Sequence, residues 1–240
     1  MKNVLITGGS RGIGAECVRL FSLNGYNVAF TYNASREAAQ ALEKNTEAYA
    51  IKCDAESETD ILDAVKKARD YFGEKGVEVL VNNAAISEIK LFSDINSECW
   101  KKMLDINLTA PYLFTREVLG DMIHHKQGRI INVSSMWGQV GASCEVHYST
   151  AKAGLIGMTK ALAKELGPSG VTVNAVAPGV IQTEMNSHLS REESEMLSEE
   201  IPLMRFGTVT EVASVLMFLS SDSSSYITGQ IIGVNGGMVV

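Results

Sequence analysis

The chain has 240 residues, of which 45% are hydrophobic and 20% charged, and its formal net charge at pH 7 is −7. These proportions are typical of a soluble globular protein with a sizeable core. The acidic balance argues against nucleic acid or an anionic membrane surface as a partner. No apolar run approaches the ~18 residues that a membrane span requires. The four cysteines are scattered without metal-ligand spacing and no signal segment precedes the first strand, which predicts a cytoplasmic protein without a bound metal.

Short apolar runs alternate with helical patterns along the whole chain. Strands are predicted near residues 4–7, 27–32, 48–52, 77–81, 129–133, 171–176 and 230–234. Helices are predicted between them, including a long one at about residues 97–124 that is bent or interrupted near Pro111. This alternation predicts an α/β fold in which helices cover both faces of a parallel sheet, as one domain over residues 1–240.

Residues 180–205 interrupt this rhythm with a polar, glutamate-rich segment. We interpret the segment as a solvated helical flap over a pocket, because long irregular insertions are often lids. A passive surface insertion is the alternative. The first half, about residues 1–130, would bind a cofactor, and the second half, about residues 131–240, would carry catalysis and the substrate.

A glycine-rich turn joins the first strand to the first helix, with the sequence Gly8-Gly9-Ser10-Arg11-Gly12-Ile13-Gly14. Glycine permits a tight turn and a close approach of backbone to phosphate, and a helix N-terminus offers free N–H groups. A pyrophosphate is therefore the predicted ligand. The spacing differs from the commoner G-x-G-x-x-G, and a merely structural turn is the alternative.

The end of the second strand indicates which dinucleotide binds. NAD-binding folds usually place a carboxylate there for the ribose 2′-hydroxyl, but this strand ends Tyr32-Asn33 without one. Arg11 and Arg36 suit a 2′-phosphate, which predicts NADP (NADPH) as the cofactor. Glu37 beside Arg36 weakens that prediction, and a solvated helix charge is the alternative for Arg36.

Two polar residues follow later strands. Asp54 could accept a hydrogen bond from an adenine amine, or it could be an ordinary helix-capping turn residue. Asn82 ends the fourth strand, where open α/β sheets place ligands, and its amide could hold a neighbouring loop as well as the cofactor.

The stretch from Asn132 to Gly157 carries the candidate catalytic groups. Tyr148 and Lys152 are four residues apart and share one helix face. A nearby ammonium group lowers the pKa of a tyrosine, so this phenol could exchange a proton with an alcohol or ketone oxygen. Ser135, on the preceding loop, could hydrogen-bond the same oxygen.

These motifs together resemble the short-chain dehydrogenase/reductase family over nearly the whole chain. The resemblance rests on the TGGSRGIG loop, NNAA after the fourth strand, Asn107 in DINL, the Ser135/Tyr148/Lys152 set, PGVIQT at residues 178–183 and the closing YITGQIIGVNGG. It implies a Rossmann-like fold with a seven-stranded parallel sheet, and a homotetramer. It also implies hydride transfer between a nicotinamide cofactor and a carbonyl or alcohol carbon.

The same resemblance implies roles for individual residues. Tyr148 would be the catalytic acid, and Lys152 would lower its pKa and hold the nicotinamide ribose. Ser135 would be the oxyanion partner, with Ser134 as the alternative serine, and Asn107 would organise a proton-relay water. The expected cofactor contacts are Gly8, Ser10, Arg11, Gly12, Ile13, Gly14, Asn33, Arg36, Asp54, Asn82, Ala84, Tyr148, Lys152, Pro178, Gly179, Ile181 and Thr183.

Within the family, the chain resembles the 3-oxoacyl-acyl-carrier-protein reductases, most clearly near its end. Those reductases commonly carry two arginines toward the acidic carrier protein, where this chain has Lys126 and Ser169. The loop before Tyr148 carries Glu145 in place of the usual glutamine, and this loop resembles the elongation factor P 5-aminopentanone reductases. Glu145, as the partner of an amine, and Trp137 are the candidate substrate contacts. A carboxylate that complements the helix dipole is the alternative for Glu145.

The sequence therefore predicts NADPH-dependent reduction of a ketone to a secondary alcohol. The ketone is expected to be bound to a carrier or to another protein. A cofactor-binding regulator without turnover is the alternative from another functional class, since fold alone does not exclude it.

Overall fold

The computed structural model describes residues 1–184 and 190–240. Seven strands form one sheet in the order β3-β2-β1-β4-β5-β6-β7, and all of its pairings are parallel. This confirms the predicted fold class, and each strand lies within about two residues of its predicted bounds. The strands are β1 (Asn3–Ile6), β2 (Asn27–Tyr32), β3 (Tyr49–Lys52), β4 (Val79–Asn82), β5 (Gly128–Val133), β6 (Val171–Pro178) and β7 (Ile231–Val234).

Helices cover both faces of the sheet. In the described residues they are α1 (Gly12–Leu23), α2 (Arg36–Thr46), α3 (Glu58–Phe72), α4 (Ser97–Leu104), α5 (Ala110–His124), α6 (Trp137–Val140), α7 (Val146–Leu166), α8 (Arg191–Glu199) and α9 (Val209–Ser220). None of these helices has the length and apolar character needed to cross a bilayer.

Alternate residues of each strand enter two separate hydrophobic cores. Val4 and Ile6 pack with Phe21 of α1 in one core, whereas Leu5 packs with Phe114 of α5 in the other. Because both faces of the strands are covered, the strands read as continuous apolar runs rather than alternating ones. The strand order reverses direction between β1 and β4, and ligands of open α/β sheets bind outside the carboxyl ends of the strands at this point.

The predicted long helix is interrupted near Pro111, as expected. A π-helical turn at Asp105–Thr109 separates α4 from α5, and the turn lies ahead of Pro111. Pro111 itself lies in the first turn of α5, where a missing N–H costs nothing. π-turns of this kind are frequent at functional sites, and this one contains Asn107.

The predicted flap is helical in part. Ile181 forms an isolated parallel bridge with Gly207, and α8 follows with Ser190 and Glu193 in a reciprocal capping box. The surface of α8 is largely exposed. Residues 185–189 of the predicted flap lie outside the described residues.

Candidate active site

The glycine turn after β1 is packed too closely to accept side chains. Gly8 has φ +66°, and a Cβ atom on it would lie 2.8 Å from the Cα atom of Ala84. A Cβ atom on Gly14 would lie 2.2 Å from the carbonyl oxygen of Gly8. In the described part of the chain, α1 begins behind this turn without a side-chain cap, and its first turn has no acidic residue. The turn and the uncapped helix N-terminus therefore fit the pyrophosphate of a dinucleotide.

Two residues that the sequence analysis missed hold this turn against the loop after β4. The hydroxyl of Thr7 accepts hydrogen bonds from the N–H groups of Asn83 and Ala84, both at 2.9 Å. The side-chain amide of Asn83 donates to the carbonyl oxygens of Thr7 (2.9 Å) and Gly8 (3.1 Å). The NNAA motif was the available signal, since it contains two adjacent asparagines.

The structure directs Asn82 into the core. Its side chain is buried, and its amide donates to the side-chain oxygens of Asn132 (2.9 Å) and Thr115 (3.2 Å). Asn82 thus links β4 to β5 and α5, and its contact with the cofactor stays a prediction. Asp54 accepts a hydrogen bond from the N–H of Glu56 at 3.0 Å, which is the turn role considered as its alternative.

The segment after β6 faces the glycine turn. Thr183 lies near Gly12, since a Cβ atom on Gly12 would be 3.7 Å from the methyl carbon of Thr183. The guanidinium of Arg11 is 3.5 Å from the carboxylate of Glu184, so an exposed ion pair joins the glycine turn to the segment after β6. The other predicted contacts after β2, Asn33 and Arg36, are exposed.

Backbone hydrogen bonds fix the beginning of that segment. The carbonyl of Pro178 accepts from the N–H of Met136 at 2.9 Å, and the N–H of Gly179 donates to the carbonyl of Val234 at 3.0 Å. Ile181 is buried in the core. The expected cofactor contacts therefore lie along a segment anchored to β6, β7 and the loop that carries Ser135.

The structure brings Ser135, Tyr148 and Lys152 together at the carboxyl end of β5. The side chain of Ser135 lies close enough to the hydroxyl of Tyr148 to lower its pKa. The ammonium nitrogen of Lys152 lies 5.7 Å from the centre of the Tyr148 ring and donates to the carbonyl of Val133 at 2.8 Å. All three residues are buried. Ser134 donates instead to the backbone carbonyl of Lys152 at 3.0 Å, so Ser135 is the serine that reaches Tyr148.

The predicted effect of Lys152 on Tyr148 is wrong for this structure. Burial raises the pKa of Tyr148 to about 12, although the hydrogen bond from Ser135 opposes that rise and the Glu145 carboxylate adds to it. Burial also lowers the pKa of Lys152 to about 7. Desolvation disfavours the charged form of both groups. Tyr148 is therefore protonated at neutral pH, which is the state that a proton donor requires.

Asn107 holds the loop after β4 from within the π-turn. Its side chain is fully buried. The amide nitrogen donates to the carbonyl of Ile86 at 2.9 Å, and the amide oxygen accepts from the N–H of Ile86 at 3.2 Å. Asn107 thus fixes the backbone of this loop at Ile86. Its expected role with a relay water stays a prediction.

The substrate side of the cleft is formed where the loop after β4 meets the loop before α7. The hydroxyl of Ser87 donates to the Glu145 carboxylate at 3.0 Å, and the N–H of Lys90 donates to the carbonyl of Cys144 at 2.7 Å. The contact with Ser87 orients Glu145, which lies immediately before the helix that carries Tyr148.

Two further residues of this wall were missed by the sequence analysis. His147 is fully buried beside Tyr148, and its Nε2 atom lies 3.5 Å from the carboxylate of Glu88. A lone histidine and a lone glutamate gave no signal in the sequence.

Trp137, the other candidate substrate contact, is partly buried at the start of α6. Its backbone N–H donates to the Ser135 hydroxyl at 3.1 Å.

The fold and this arrangement are those of a short-chain dehydrogenase/reductase, and the chain belongs to that family. The family model described as "Enoyl-(Acyl carrier protein) reductase" matches residues 8–239. The protein is thus an oxidoreductase that acts between a ketone and an alcohol, and the family implies a nicotinamide cofactor. The resemblance found in the sequence is confirmed.

Individual relatives are similar over nearly the full length. The chain is 44% identical over 238 residues to the 3-oxoacyl-[acyl-carrier-protein] reductase FabG of Aquifex aeolicus, covering 98% of this chain and 96% of that protein. It is 39% identical over 242 residues to the FabG of Staphylococcus epidermidis, covering 99% and 98%. A solved structure of a mutant short-chain dehydrogenase/reductase from Serratia marcescens aligns with TM-score 0.92 and 31% identity, covering 100% of this chain and 98% of that one.

Proposed function

We propose that the protein uses NADPH to reduce the ketone of a 3-oxoacyl thioester, carried on acyl carrier protein, to a secondary alcohol. The observation that carries the proposal is the buried set of Ser135, Tyr148 and Lys152, at the same edge of the parallel sheet as the glycine turn. Relatives at 39–44% identity that are named for this activity support it. We also propose that the chain is one domain and acts as a cytoplasmic homotetramer, as the family resemblance implies.

The chemistry follows from the positions of the hydroxyl groups. When bound, the nicotinamide would supply a hydride to the carbonyl carbon. Negative charge then develops on the carbonyl oxygen, where the hydroxyl of Tyr148 donates its proton and the hydroxyl of Ser135 donates a hydrogen bond. Donors that are fixed in a water-poor site stabilise this developing charge more in the transition state than in the ground state. Lys152 is proposed to hold the nicotinamide ribose.

The residues around the glycine turn favour NADPH over NADH. The end of β2 has no carboxylate for a ribose 2′-hydroxyl, and Arg36 is exposed four residues after Tyr32. Arg11, on the turn itself, supplies a second guanidinium, although this group also forms an ion pair with Glu184. Arginine suits a phosphate because its N–H groups match the phosphate oxygens.

A second candidate substrate is an aminoketone attached to a protein lysine. The observation that favours it is the Glu145 carboxylate, which Ser87 orients beside Tyr148. A carboxylate at this position would attract the amine of such a substrate and repel an acidic carrier protein.

A side-by-side turnover experiment tests both candidates. NADPH oxidation would be followed with a 3-oxoacyl thioester and with an aminoketone-modified peptide, for the wild type and for Glu145→Gln. The main proposal predicts turnover of the thioester that Glu145→Gln leaves intact or improves. Turnover of the aminoketone alone, lost in Glu145→Gln, would replace the main proposal with the second. NADPH binding without turnover of either ketone would favour the regulator.

A further inference from the structure

Two hydrogen bonds join the loop after β4 to the segment that leads into α7. The hydroxyl of Ser87 donates to the Glu145 carboxylate at 3.0 Å, and the N–H of Lys90 donates to the carbonyl of Cys144 at 2.7 Å. Cys144 has φ +60°, a backbone conformation that is unfavourable for residues other than glycine and persists only where surrounding contacts hold it. The loop after β4 therefore fixes the backbone just before the helix that carries Tyr148.

A third contact joins the same two segments through the side chains of Glu88 and His147. Nε2 of His147 lies 3.5 Å from one carboxylate oxygen of Glu88, and Nζ of Lys90 lies 3.3 Å from the other. The His147 side chain is fully buried, whereas that of Glu88 is 45% exposed. Hydrogen bonds from Lys90 and, to a lesser extent, from His147 keep the pKa of the Glu88 carboxyl below its usual range. Glu88 is therefore ionised at neutral pH.

The contact with Glu88 accounts for the histidine at position 147. A carboxylate only accepts hydrogen bonds, so Nε2 has to carry a proton in order to donate to it. Nδ1 of His147 is buried and has no hydrogen-bond partner in the part of the chain that the structure describes. A buried polar atom without a partner costs about 1–3 kcal/mol. An apolar side chain would fill this space without that cost, so packing alone does not explain His147.

We propose that Glu88 and His147 are positioning residues for ketone reduction. Their contact fixes the first turn of α7, in which Tyr148 directly follows His147, so that the Tyr148 hydroxyl meets the carbonyl oxygen of the substrate. A misplacement of about 1 Å can lower a rate roughly 10²-fold. The inference rests on the proposed reduction of a ketone, and it applies to either candidate ketone.

A double-mutant cycle with Glu88→Ala, His147→Leu and the combined variant tests the proposal. Each single variant should lower kcat for ketone reduction roughly tenfold, because either change removes the contact. The combined variant should be no slower than the single variants, since the two residues act as one unit. NADPH affinity should stay unchanged in all three, because Thr7 and Asn83 hold the glycine turn.

Two further variants separate the contact from a general loss of charge. Glu88→Gln keeps an oxygen that can accept from Nε2 of His147, so it should retain most of the wild-type kcat. Glu165→Ala is the matched control, because Glu165 is exposed on the same helix, α7, and it should match the wild type. If His147→Leu does not fold, the comparison of Glu88→Ala with Glu88→Gln decides, because the Glu88 side chain is at the surface.

Amide hydrogen exchange gives a readout that does not depend on turnover. In protein saturated with NADPH, the N–H of Lys90 and those of the first turn of α7 should exchange severalfold faster in Glu88→Ala than in the wild type or Glu165→Ala. Equal exchange in Glu88→Ala and the wild type would overturn the proposal, whatever the turnover. So would additive losses of kcat in the cycle, or a change confined to the KM of the ketone. Wild-type protein without turnover of either ketone would instead count against the proposed function, and the exchange rates would still decide whether this contact fixes the helix.

Discussion

Replacing Lys152 with methionine should stabilise the protein while it abolishes turnover. Burial lowers the pKa of Lys152 to about 7, whereas an unfolded lysine has a pKa of about 10.4. At ~1.36 kcal/mol per pKa unit, the burial of this amine corresponds to about 5 kcal/mol. Methionine is flexible and has no charge. It would lose the bond from Lys152 to the Val133 carbonyl, which leaves that carbonyl unpaired at a cost of ~1–3 kcal/mol. We therefore expect a net gain of about 2–4 kcal/mol at pH 7.

The pH dependence of stability gives this prediction its sign. The folded-state pKa of Lys152 lies below the unfolded value, so between about pH 7 and 10.4 the unfolded chain binds one more proton than the folded chain. The free energy of unfolding should therefore rise with pH in this window by up to ~1.4 kcal/mol per pH unit through Lys152. Lys152→Met should remove that contribution, while groups common to both proteins cancel in the comparison.

Urea denaturation at several pH values from neutral to mildly alkaline measures this difference, with all proteins at one concentration. Lys160→Met is a matched control, because Lys160 is exposed on the same helix, α7. It should change neither the stability nor its pH dependence. A Lys152→Met protein that is less stable than the wild type, or that keeps the wild-type pH slope, would refute the reasoning from burial.

Three other predictions concern the proton donor and the cofactor site. Because the pKa of Tyr148 is raised to about 12, alcohol oxidation, which needs the phenolate, should accelerate as pH rises through the alkaline range. In the same pH range Tyr148 should stay protonated, so the rate of ketone reduction should not fall through loss of its proton. Profiles of rate against pH in both directions measure the two effects, and an oxidation rate that levels off near neutral pH would be inconsistent with the raised pKa. Arg36→Glu should raise the KM for NADPH roughly tenfold while the KM for NADH changes less, because the lost charge would face the 2′-phosphate in the proposed complex; an unchanged ratio of the two KM values would count against NADP. Gly8→Ala should abolish NADPH binding and cost about 1–3 kcal/mol of stability, because of its positive φ and its contact with Ala84; fluorescence titration and thermal melting measure the two effects, and normal NADPH binding would be inconsistent with the close packing.

The fold was predictable because its signal is local and repeated. Apolar strands that alternate with amphipathic helices allow few arrangements other than a covered parallel sheet. The break in the long helix was predicted near Pro111 because proline is the usual local cause of such breaks. Here the break lies in a π-turn around Asn107, whose side chain pairs with the backbone of Ile86. That pairing joins two distant segments, and no pattern within the helix indicates it.

In the candidate site, too, features set by local sequence were predictable and features set by tertiary contacts were not. Ser135, Tyr148 and Lys152 were identifiable because helical spacing and a preceding serine are visible in the sequence. Their ionisation was predicted wrongly because it depends on burial, which is a tertiary property. The choice between Asn82 and Asn83 likewise depends on which of two adjacent side chains faces the core. His147 was missed because its contact with Glu88 joins residues that are far apart in the chain.

In the proposed mechanism, the buried, protonated phenol of Tyr148 donates the proton in ketone reduction. Single-turnover reduction of a 3-oxoacyl thioester by Tyr148→Phe with saturating NADPH tests this role of the phenol. We expect a rate roughly 10²–10⁴-fold below that of the wild type, with NADPH affinity unchanged. A Tyr148→Phe protein that reduces the thioester within a few-fold of the wild-type rate would contradict it.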